Sequence, residues 1–201
     1  RGIAELFGIQ YSEYVKGDFD ISPIYRIDER RAIAAHLALG AAYPYGNSDI
    51  LPFEKRYFGG GANSVRGWST RTLGPGTFSQ DSTGHDFGRR VGEIKFDFSV
   101  EYRRKISRLI ELAGFVDAGN IWTIKEYVEQ PGGLFKLTEF YKELGVAYGV
   151  GLRFDLNFLL IRVDGGMKAH NPALEKGSRW TITKPDFKRD FAFHFAIGYP
   201  F

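Results

Sequence analysis

Four histidines and one glycine-rich stretch are the residues whose types and spacing could do chemistry in this sequence. His36 and His194 fall in segments of alternating polarity, His85 and His170 fall between such segments, and none has the partner set of a catalytic base or a metal ligand. The glycines at 59–61 are followed by neither a Lys-Ser or Lys-Thr pair nor a helical pattern, which a phosphate-binding loop requires. The sequence therefore predicts no enzyme, no metal site and no cofactor.

Composition narrows the class of protein further. The chain has 201 residues, of which 43% are hydrophobic, and this is ample for one folded domain and excludes a disordered tail. Its net charge of +3 comes from 27 Lys and Arg scattered among 24 Asp and Glu, so nucleic acid is not an expected partner. Cysteine is absent, so neither a disulfide framework nor a cysteine-ligated metal is available.

Hydropathy alone would class the chain as soluble, because it contains no run of about 18 apolar residues and no signal peptide precedes Arg1. That inference is unsafe. The strands of a membrane barrel alternate lipid-facing apolar residues with lumen-facing polar ones, so their mean hydropathy is mildly hydrophilic. An aromatic content of 16% and a total of 25 glycines fit such a barrel.

Strict alternation of apolar and polar residues is the dominant pattern, and it predicts β-strands. It is clearest over 93–103, where Phe96 and Phe98 share one face and Asp97 and Glu101 share the other. No segment has a convincing helical period. Six further segments alternate, the first with an interruption near Ser22-Pro23. The sequence therefore predicts seven strands: 8–27, 33–43, 93–103, 109–122, 141–155, 159–168 and 191–201.

The connections between these strands alternate in length, which is a second and independent signal. Short turns at one rim and long loops at the other are typical of outer-membrane barrels. The strand count places the last residue at the short-turn rim, which is expected to be periplasmic. The short connections are 28–30, 104–108 and 156–158, and the long ones are 47–90, 123–139 and 171–188.

A soluble sandwich or a lipocalin-like barrel would also alternate, with its apolar face turned inward on a core. Against it, seven strands leave open edges that lipid cannot satisfy, so the chain is expected to be a fragment of an all-β, antiparallel, up-and-down transmembrane β-barrel. Many Gly and Ala also share the polar faces with charged residues, which suits a wet and crowded lumen. The charged residues in the clearest strand are Glu93, Lys95, Asp97, Glu101 and Arg103.

Four segments carry a resemblance to a known family. They are RYFGGGANSVRGW at 56–68, Gly92 with EYR at 101–103, FVDAGNIW at 115–122, and GVGLRFD at 149–155 followed by LIRVD at 160–164. In this order they resemble the barrel of the BamA/TamA family, which inserts or exports other outer-membrane proteins, and the stretch 71–76 resembles its Bacteroidetes members. The resemblance implies that residues 1–201 form about the last seven strands of a sixteen-stranded barrel, which POTRA domains precede in the family.

The resemblance also implies a role for the loop 47–90. In the family, this large extracellular loop folds back into the barrel lumen, and its arginine pairs with acidic residues on the next two strands, which are Glu101 and Asp117 here. A guanidinium among carboxylates is a directional anchor for a loop that is entropically costly to hold. The residues that match the tip of the family's loop are Val65, Arg66, Gly67 and Trp68.

Each of these roles has an alternative. Arg66 could be a solvated loop charge, which would contribute under about 1 kcal/mol to stability. Asp117 could instead act with Gly119 and Asn120 to shape the strand end beneath Trp122.

The last strand resembles the signal that assembly machinery reads in its client barrels. An aromatic girdle that anchors the barrel in lipid is the alternative reading, and the two are compatible. In assembly proteins the same strand forms one side of a lateral seam, where client strands pair with an exposed edge. Pro200 fits a seam, because it removes a ladder donor near the strand end. The residues of this expected signal are Phe193, Phe195, Ile197, Tyr199 and Phe201.

The expected function is assembly, insertion or translocation of other proteins in the bacterial outer membrane. The expected partners are outer-membrane lipids, client outer-membrane proteins and accessory periplasmic or lipoprotein subunits. Two alternatives stay open: a two-partner-secretion pore that exports a passenger, and a barrel anchor of a surface or patatin-like protein. The sequence upstream of Arg1 would discriminate, since several POTRA repeats favour assembly, two favour secretion and a patatin-like domain favours the anchor.

Overall fold

The alternating segments form strands in a computed structural model that describes residues 5–6, 9–79 and 87–201. Within these ranges the strands are β1 (Glu5–Leu6), β2 (Ile9–Gln10), β3 (Glu13–Ile21), β4 (Ile24–Arg26), β5 (Arg31–Tyr45), β6 (Ile94–Lys105), β7 (Ile110–Trp122), β8 (Gly145–Asp155), β9 (Leu160–His170) and β10 (Phe191–Ile197).

Eight of these strands form one antiparallel sheet in which neighbours in sequence are neighbours in space. Its order is β10-β9-β8-β7-β6-β5-β3, and β4 pairs with β5 as the interrupted continuation of β3. The interruption falls at Ser22 and Pro23, where the sequence predicted it. β1 and β2 form a separate two-stranded sheet. The all-antiparallel, up-and-down order of the main sheet confirms the predicted fold class.

Two predicted strands begin later than the alternation suggests. The first joins the main sheet at Glu13 rather than at residue 8, which lies outside the described residues. The strand predicted over 141–155 begins at Gly145, because residues 140–142 form a 3-10 turn instead. Alternation of polarity continues through these flanking residues, but pairing with the neighbouring strand does not.

The last strand also ends earlier than predicted. It pairs with β9 only as far as Ile197, and Gly198 then takes a left-handed φ of 88° that a strand cannot continue. The sequence predicted no helix, but one turn of α-helix, α1 (Phe187–Asp190), precedes β10, and the Asp186 carboxylate caps it by accepting the Lys188 N–H at 3.0 Å. Across the described ranges, no helix has the length and apolar character to span a membrane.

The two faces of the main sheet differ in which side chains they bury. Asp97, Ser99 and Glu101 of β6 point to one face and are at most 4% exposed, and we call this the polar face. Phe98 and Tyr102 of the same strand point to the other, apolar face and are 42% and 41% exposed. Buried charges and exposed aromatic residues are the reverse of a soluble core, and this is the arrangement of a membrane barrel wall.

The long segment between β5 and β6 covers the polar face. Leu51 and Tyr57 of this segment pack against Ala42 and Ile121, and its next part packs a second small cluster further along the sheet. That second cluster joins Val65, Trp68 and Leu73 to Ala147. Hydrophobic side chains of this loop therefore pack on the polar face. A separate aromatic cluster packs Trp122, which is fully buried on the apolar face, against Phe135 and Phe140.

Candidate functional site

The loop between β5 and β6 presents Arg66 at the tip of a closed turn. Gly60 and Gly61 take positive φ values of 85° and 110°, which reverse the backbone at the start of the turn. The Gly61 N–H then donates to the Trp68 carbonyl at 2.9 Å, and the Trp68 N–H donates to the Val65 carbonyl at 3.2 Å. These bonds close residues 61–68 into a compact turn.

Arg66 is the most highly bonded residue of this tip. Its Nε and Nη2 donate to the two carboxylate oxygens of Asp117, each at 2.8 Å, and its Nη1 donates to Glu101 Oε2 at 2.5 Å. The backbone N–H of Arg66 also donates to Asp117 at 3.0 Å. The side chain is 1% exposed, so Arg66 is not a solvated loop charge. A bidentate pair combined with a second carboxylate is among the strongest polar arrangements in proteins.

Two further side chains, Phe115 and Ser99, contact the Arg66 guanidinium. The guanidinium carbon of Arg66 is 3.5 Å from the centroid of the Phe115 ring, which is cation–π distance. Ser99 accepts from Arg66 Nη2 at 3.2 Å and donates to Asp117 at 2.5 Å. Neither Phe115 nor Ser99 was identified as a site residue from the sequence.

The register of β6 and β7 explains why these groups converge. Ser99 lies directly opposite Asp117, and Glu101 lies directly opposite Phe115. Because alternate residues of a strand share a face, all four side chains point to the polar face at adjacent positions. A register shift of one residue would send them to the apolar face, so strand pairing itself builds the site.

The Arg66 site continues into a larger buried cluster on β8 and β9. Arg153 donates to Glu101 Oε2 at 2.7 Å and to Asp164 Oδ1 at 3.0 Å. Arg103 donates to Glu101 Oε1 at 2.7 Å, and Arg162 Nε lies 3.2 Å from Asp164 Oδ2. All these side chains are at most 5% exposed. Their position on polar faces was visible in the alternation, but their mutual pairing was not.

Strands β9 and β10 hold the backbone of the tip as well. Arg162 Nη2 donates to the Ala62 carbonyl at 3.0 Å and to Asn63 Oδ1 at 2.6 Å. His194 Nε2 lies 3.0 Å from the carbonyl oxygen of Arg66, where it can donate. The loop is therefore hydrogen bonded to side chains of β6, β7, β9 and β10. His194 belongs to the site although no partner for it was predicted from the sequence.

Electrostatics favours a charged Arg66 in this cluster. Burial alone would lower the pKa of Arg66, but the Asp117 and Glu101 carboxylates outweigh burial and raise that pKa above its ordinary value. The cluster contains four arginines and three carboxylates, so no carboxylate of the cluster is left without a cation. Removing one partner would leave a buried charge uncompensated.

The other residues of the tip make close packing contacts. A Cβ on Gly67 would lie 2.7 Å from the Ala147 Cβ, so only glycine fits between the loop and β8. Trp68 lies under Lys168, whose Nζ is 5.3 Å from the indole centroid. Asn120 serves the strand end, since its Nδ2 donates to the Gly76 carbonyl at 2.9 Å. The strand end is thus held by Asn120, whereas the Asp117 carboxylate binds Arg66.

The five residues of the expected closing-strand signal do not share one environment. Phe193, Phe195 and Ile197 lie on the apolar face and are 63–67% exposed. Tyr199 and Phe201 leave that face, so the expectation that all five alternate along one strand is wrong for these two. The physical reason is the turn at Gly198. The Arg103 guanidinium carbon lies 4.5 Å from the Tyr199 ring centroid, and Phe201 stacks on His36 at 5.0 Å.

An antiparallel sheet with an apolar outer face, and with a loop bound to its polar face by buried arginine pairs, defines the class of outer-membrane β-barrel chains. Residues 4–201 match the Omp85 superfamily domain, and the chain belongs to that superfamily. This membership locates it in the bacterial outer membrane.

Known proteins and solved structures extend this finding. The outer membrane protein assembly factor BamA of Neisseria meningitidis serogroup B is 34% identical over 94 residues, which are 44% of this chain and 11% of that protein. The crystal structure of BamA from Haemophilus ducreyi lacking POTRA domains 1–3 has a TM-score of 0.63 at 17% identity, over 92% of this chain and 35% of that one. CdiB from Acinetobacter baumannii has a TM-score of 0.53 at 16% identity, over 94% of this chain and 27% of that one. The chain thus spans about a tenth of the first relative, about a third of the BamA structure and about a quarter of the CdiB structure, and the structures show a shared fold.

Proposed function

We propose that this chain is the C-terminal part of a barrel that assembles or inserts other outer-membrane proteins, and that it has no enzymatic activity. The observation that carries the proposal is the 94-residue match to the assembly factor BamA of Neisseria meningitidis. Client outer-membrane proteins are the expected partners, together with accessory periplasmic or lipoprotein subunits. Residues 47–90 act as the loop that folds into the lumen, and Arg66 with Glu101 and Asp117 anchors it.

The contacts of the loop support different roles for β6–β9 and for β10. Arg66 and its partners tie the loop to β6, β7, β8 and β9, so this part of the wall is held at one curvature. β10 pairs with β9 over seven residues, and among the described residues no strand pairs with its other edge. In a complete barrel this edge meets the first strand, and we infer that this seam accepts a client strand by β-augmentation next to lipid.

A two-partner-secretion pore is the second candidate, and the structural similarity to CdiB favours it. In that function the loop on the polar face would occlude a channel, and its release would open the way for an exported passenger. The two candidates differ in what loss of the Arg66 anchor should do. An assembly barrel should lose activity, whereas a pore should conduct more.

The experiment uses the full-length protein in liposomes, with unfolded client barrel protein added from outside. The rate of client folding is measured by the shift in gel mobility between heated and unheated samples. We expect Arg66→Gln to slow client folding about tenfold or more, because breaking a buried ion pair costs about 3–5 kcal/mol and releases the loop. Arg71→Gln is the matched control, since Arg71 lies in the same loop and contacts the Phe58 ring at 4.5 Å but has no carboxylate partner among the described residues.

Each outcome decides between the candidates. Equal client folding by Arg66→Gln and the wild type would refute the anchoring role. Normal client folding combined with raised ion conductance would favour the pore. If Arg66→Gln does not reach the membrane, Arg66→Lys keeps the charge and removes the bidentate pair, and it should show a smaller loss in the same direction.

A further inference from the structure

Arg31 and Arg104 lie directly opposite each other on β5 and β6, next to the short turns. Both belong to the apolar face, because Arg104 is in phase with Phe98 and Tyr102. The neighbouring pair, Arg30 and Lys105, is hydrogen bonded, since the Lys105 N–H donates to the Arg30 carbonyl at 2.8 Å. Because hydrogen-bonded and non-hydrogen-bonded pairs alternate along an antiparallel ladder, Arg31 and Arg104 form a non-hydrogen-bonded pair. Side chains approach most closely in such pairs, and like charges in them destabilise a sheet. An anion between the two side chains would offset this repulsion.

The described part of the chain does not supply that anion for both arginines. Asp28 Oδ2 accepts from Arg31 Nε at 2.6 Å, and its Oδ1 accepts the backbone N–H groups of Arg30 and Arg31 at 2.9 and 2.7 Å. Asp28 is thus occupied by the turn. The Arg104 side chain is exposed and makes no hydrogen bond or ion pair to any described residue. Its five donors are open to a partner from outside the chain.

The surroundings of the pair are cationic on one side and apolar on the other. The two turns at 26–31 and 104–108 contain six Arg and Lys against two carboxylates. A cavity of about 450 Å³ is lined by the arginine pair, by Arg30 and by Tyr102, together with the carboxylates Asp28 and Glu29. One step further from the turns, Ile33 and Tyr102 face each other on the apolar face and are both exposed. A tyrosine between a charged rim and an apolar band is typical of the membrane interface.

We propose that Arg31 and Arg104 bind the phosphate of an anionic phospholipid in the leaflet at the short-turn rim, with its acyl chains against Ile33 and Tyr102. A phosphate accepts bidentate hydrogen bonds from guanidinium groups, and one placed between the arginines converts their repulsion into attraction. The apolar side chains beside the cavity favour a ligand with an attached hydrocarbon chain over a free anion. This site is separate from the Arg66 cluster, which lies on the opposite face, and it does not depend on the proposed function.

The test measures lipid retention by the full-length protein in detergent, using native mass spectrometry after addition of phosphatidylglycerol or phosphatidylcholine. The variants are Arg104→Gln and the double variant Arg31→Gln/Arg104→Gln. Arg26→Gln is the matched control, because Arg26 lies at the same rim but pairs with Ala32, in the phase of the polar face. Arg104 makes no contact that folding would lose, so its variant should fold, and the heat-dependent gel shift checks this.

We expect the wild type and Arg26→Gln to retain phosphatidylglycerol in preference to phosphatidylcholine. Each arginine removed from the pair should weaken that retention about fivefold, which corresponds to about 1 kcal/mol for a basic residue near an anionic surface. Unchanged retention in the double variant overturns the proposal, as does an equal loss in Arg26→Gln. Complete displacement of the lipid by inorganic phosphate at matched concentration would identify a soluble anion site instead. Equal retention of phosphatidylcholine by the wild type would exclude selection for the anionic headgroup.

Discussion

Arg153 and Glu101 form a fully buried ion pair, with Nη2 of the arginine 2.7 Å from Oε2 of the glutamate. The same Oε2 accepts from Arg66 at 2.5 Å, so one carboxylate oxygen joins the loop to β8. The second oxygen of Glu101 accepts from Arg103 on its own strand. Glu101 is therefore the hub of the cluster, and the strength of the Arg66 anchor depends on residues that Arg66 does not touch.

Replacing this hub should have a large effect on stability. Glu101→Gln keeps the shape but removes the charge shared by three buried arginines, so we expect a loss of about 3–5 kcal/mol in the free energy of unfolding. Denaturant titration of the full-length protein in lipid, followed by the heat-dependent gel shift, would measure it. Glu139→Gln is the control, because Glu139 pairs with Lys136 at 3.6 Å on an exposed loop and should cost under about 1 kcal/mol. Equal effects of the two variants would show that the cluster contributes no more than a surface pair.

The hydrogen bond from His194 to the Arg66 carbonyl should help to hold the loop. His194→Phe keeps a ring but leaves that buried carbonyl without its donor, which costs about 1–3 kcal/mol. We expect faster protease cleavage within the loop at 46–79 in the full-length protein. His194→Gln retains an N–H donor and should cleave more slowly than His194→Phe. A cleavage rate for His194→Phe equal to the wild type would mean that the loop is held without β10.

The parts of this site that the sequence could predict were those governed by local periodicity or by a contiguous motif. The alternation over 93–103 fixed the face of Glu101, and the Val-Arg-Gly-Trp motif singled out Arg66. Arg153 and Arg162 share polar faces with many other charged residues, and which of these meet depends on strand register and on the path of the loop. His194 binds a backbone carbonyl, and such a partner leaves no residue type to search for in the sequence.

The end of β10 is a second place where local periodicity predicted the structure only in part. Phe193 to Phe201 alternate perfectly, and this pattern predicted one continuous strand. Gly198 and Pro200 were the contrary signal, because a glycine two residues before a proline is strong turn punctuation. The backbone follows that signal and turns at Gly198, so Tyr199 and Phe201 contact Arg103 and His36 instead of the apolar face.

Glu143 should make stability depend on pH. Burial raises the pKa of the Glu143 carboxyl above its ordinary value, and the Trp122 indole, which donates to it at 2.7 Å, offsets this only in part. A raised pKa means that the folded state favours the protonated acid, so stability is fully present at low pH and falls as pH rises through the folded pKa. Glu143→Gln lacks this loss. We expect it to be more stable than the wild type at about pH 8 and equal to it below about pH 4.

Thermal unfolding of the full-length protein at several pH values would measure the Glu143 effect as the difference between variant and wild type. Glu129→Gln, at an exposed position of the same loop, is the control for general loss of a negative charge. If Glu143→Gln is less stable than the wild type at about pH 8, then the ionised carboxylate is needed by Trp122, and the expected sign is wrong.

Gly166 should be essential to the docking of the loop for a steric reason. It lies on the polar face of β9, and a Cβ built on it would be 2.2 Å from the Arg66 carbonyl oxygen and 2.7 Å from the carbonyl carbon. Both are backbone atoms of the bound tip, so they can move only if the tip moves. We expect Gly166→Ala to displace the tip and weaken its hydrogen bonds to Asp117 and His194.

The matched control for Gly166→Ala is Gly114→Ala, a substitution of the same size in the neighbouring part of the sheet. Gly114 lies on the apolar face of β7, and a Cβ there would meet nothing within 4 Å. Both variants lose the same chain entropy, so the difference between them isolates the clash with the loop. Gly166→Ala should increase protease cleavage of the loop and lower client folding in liposomes, while Gly114→Ala should leave both unchanged. Wild-type values of both for Gly166→Ala would show that the tip does not need its close approach to β9.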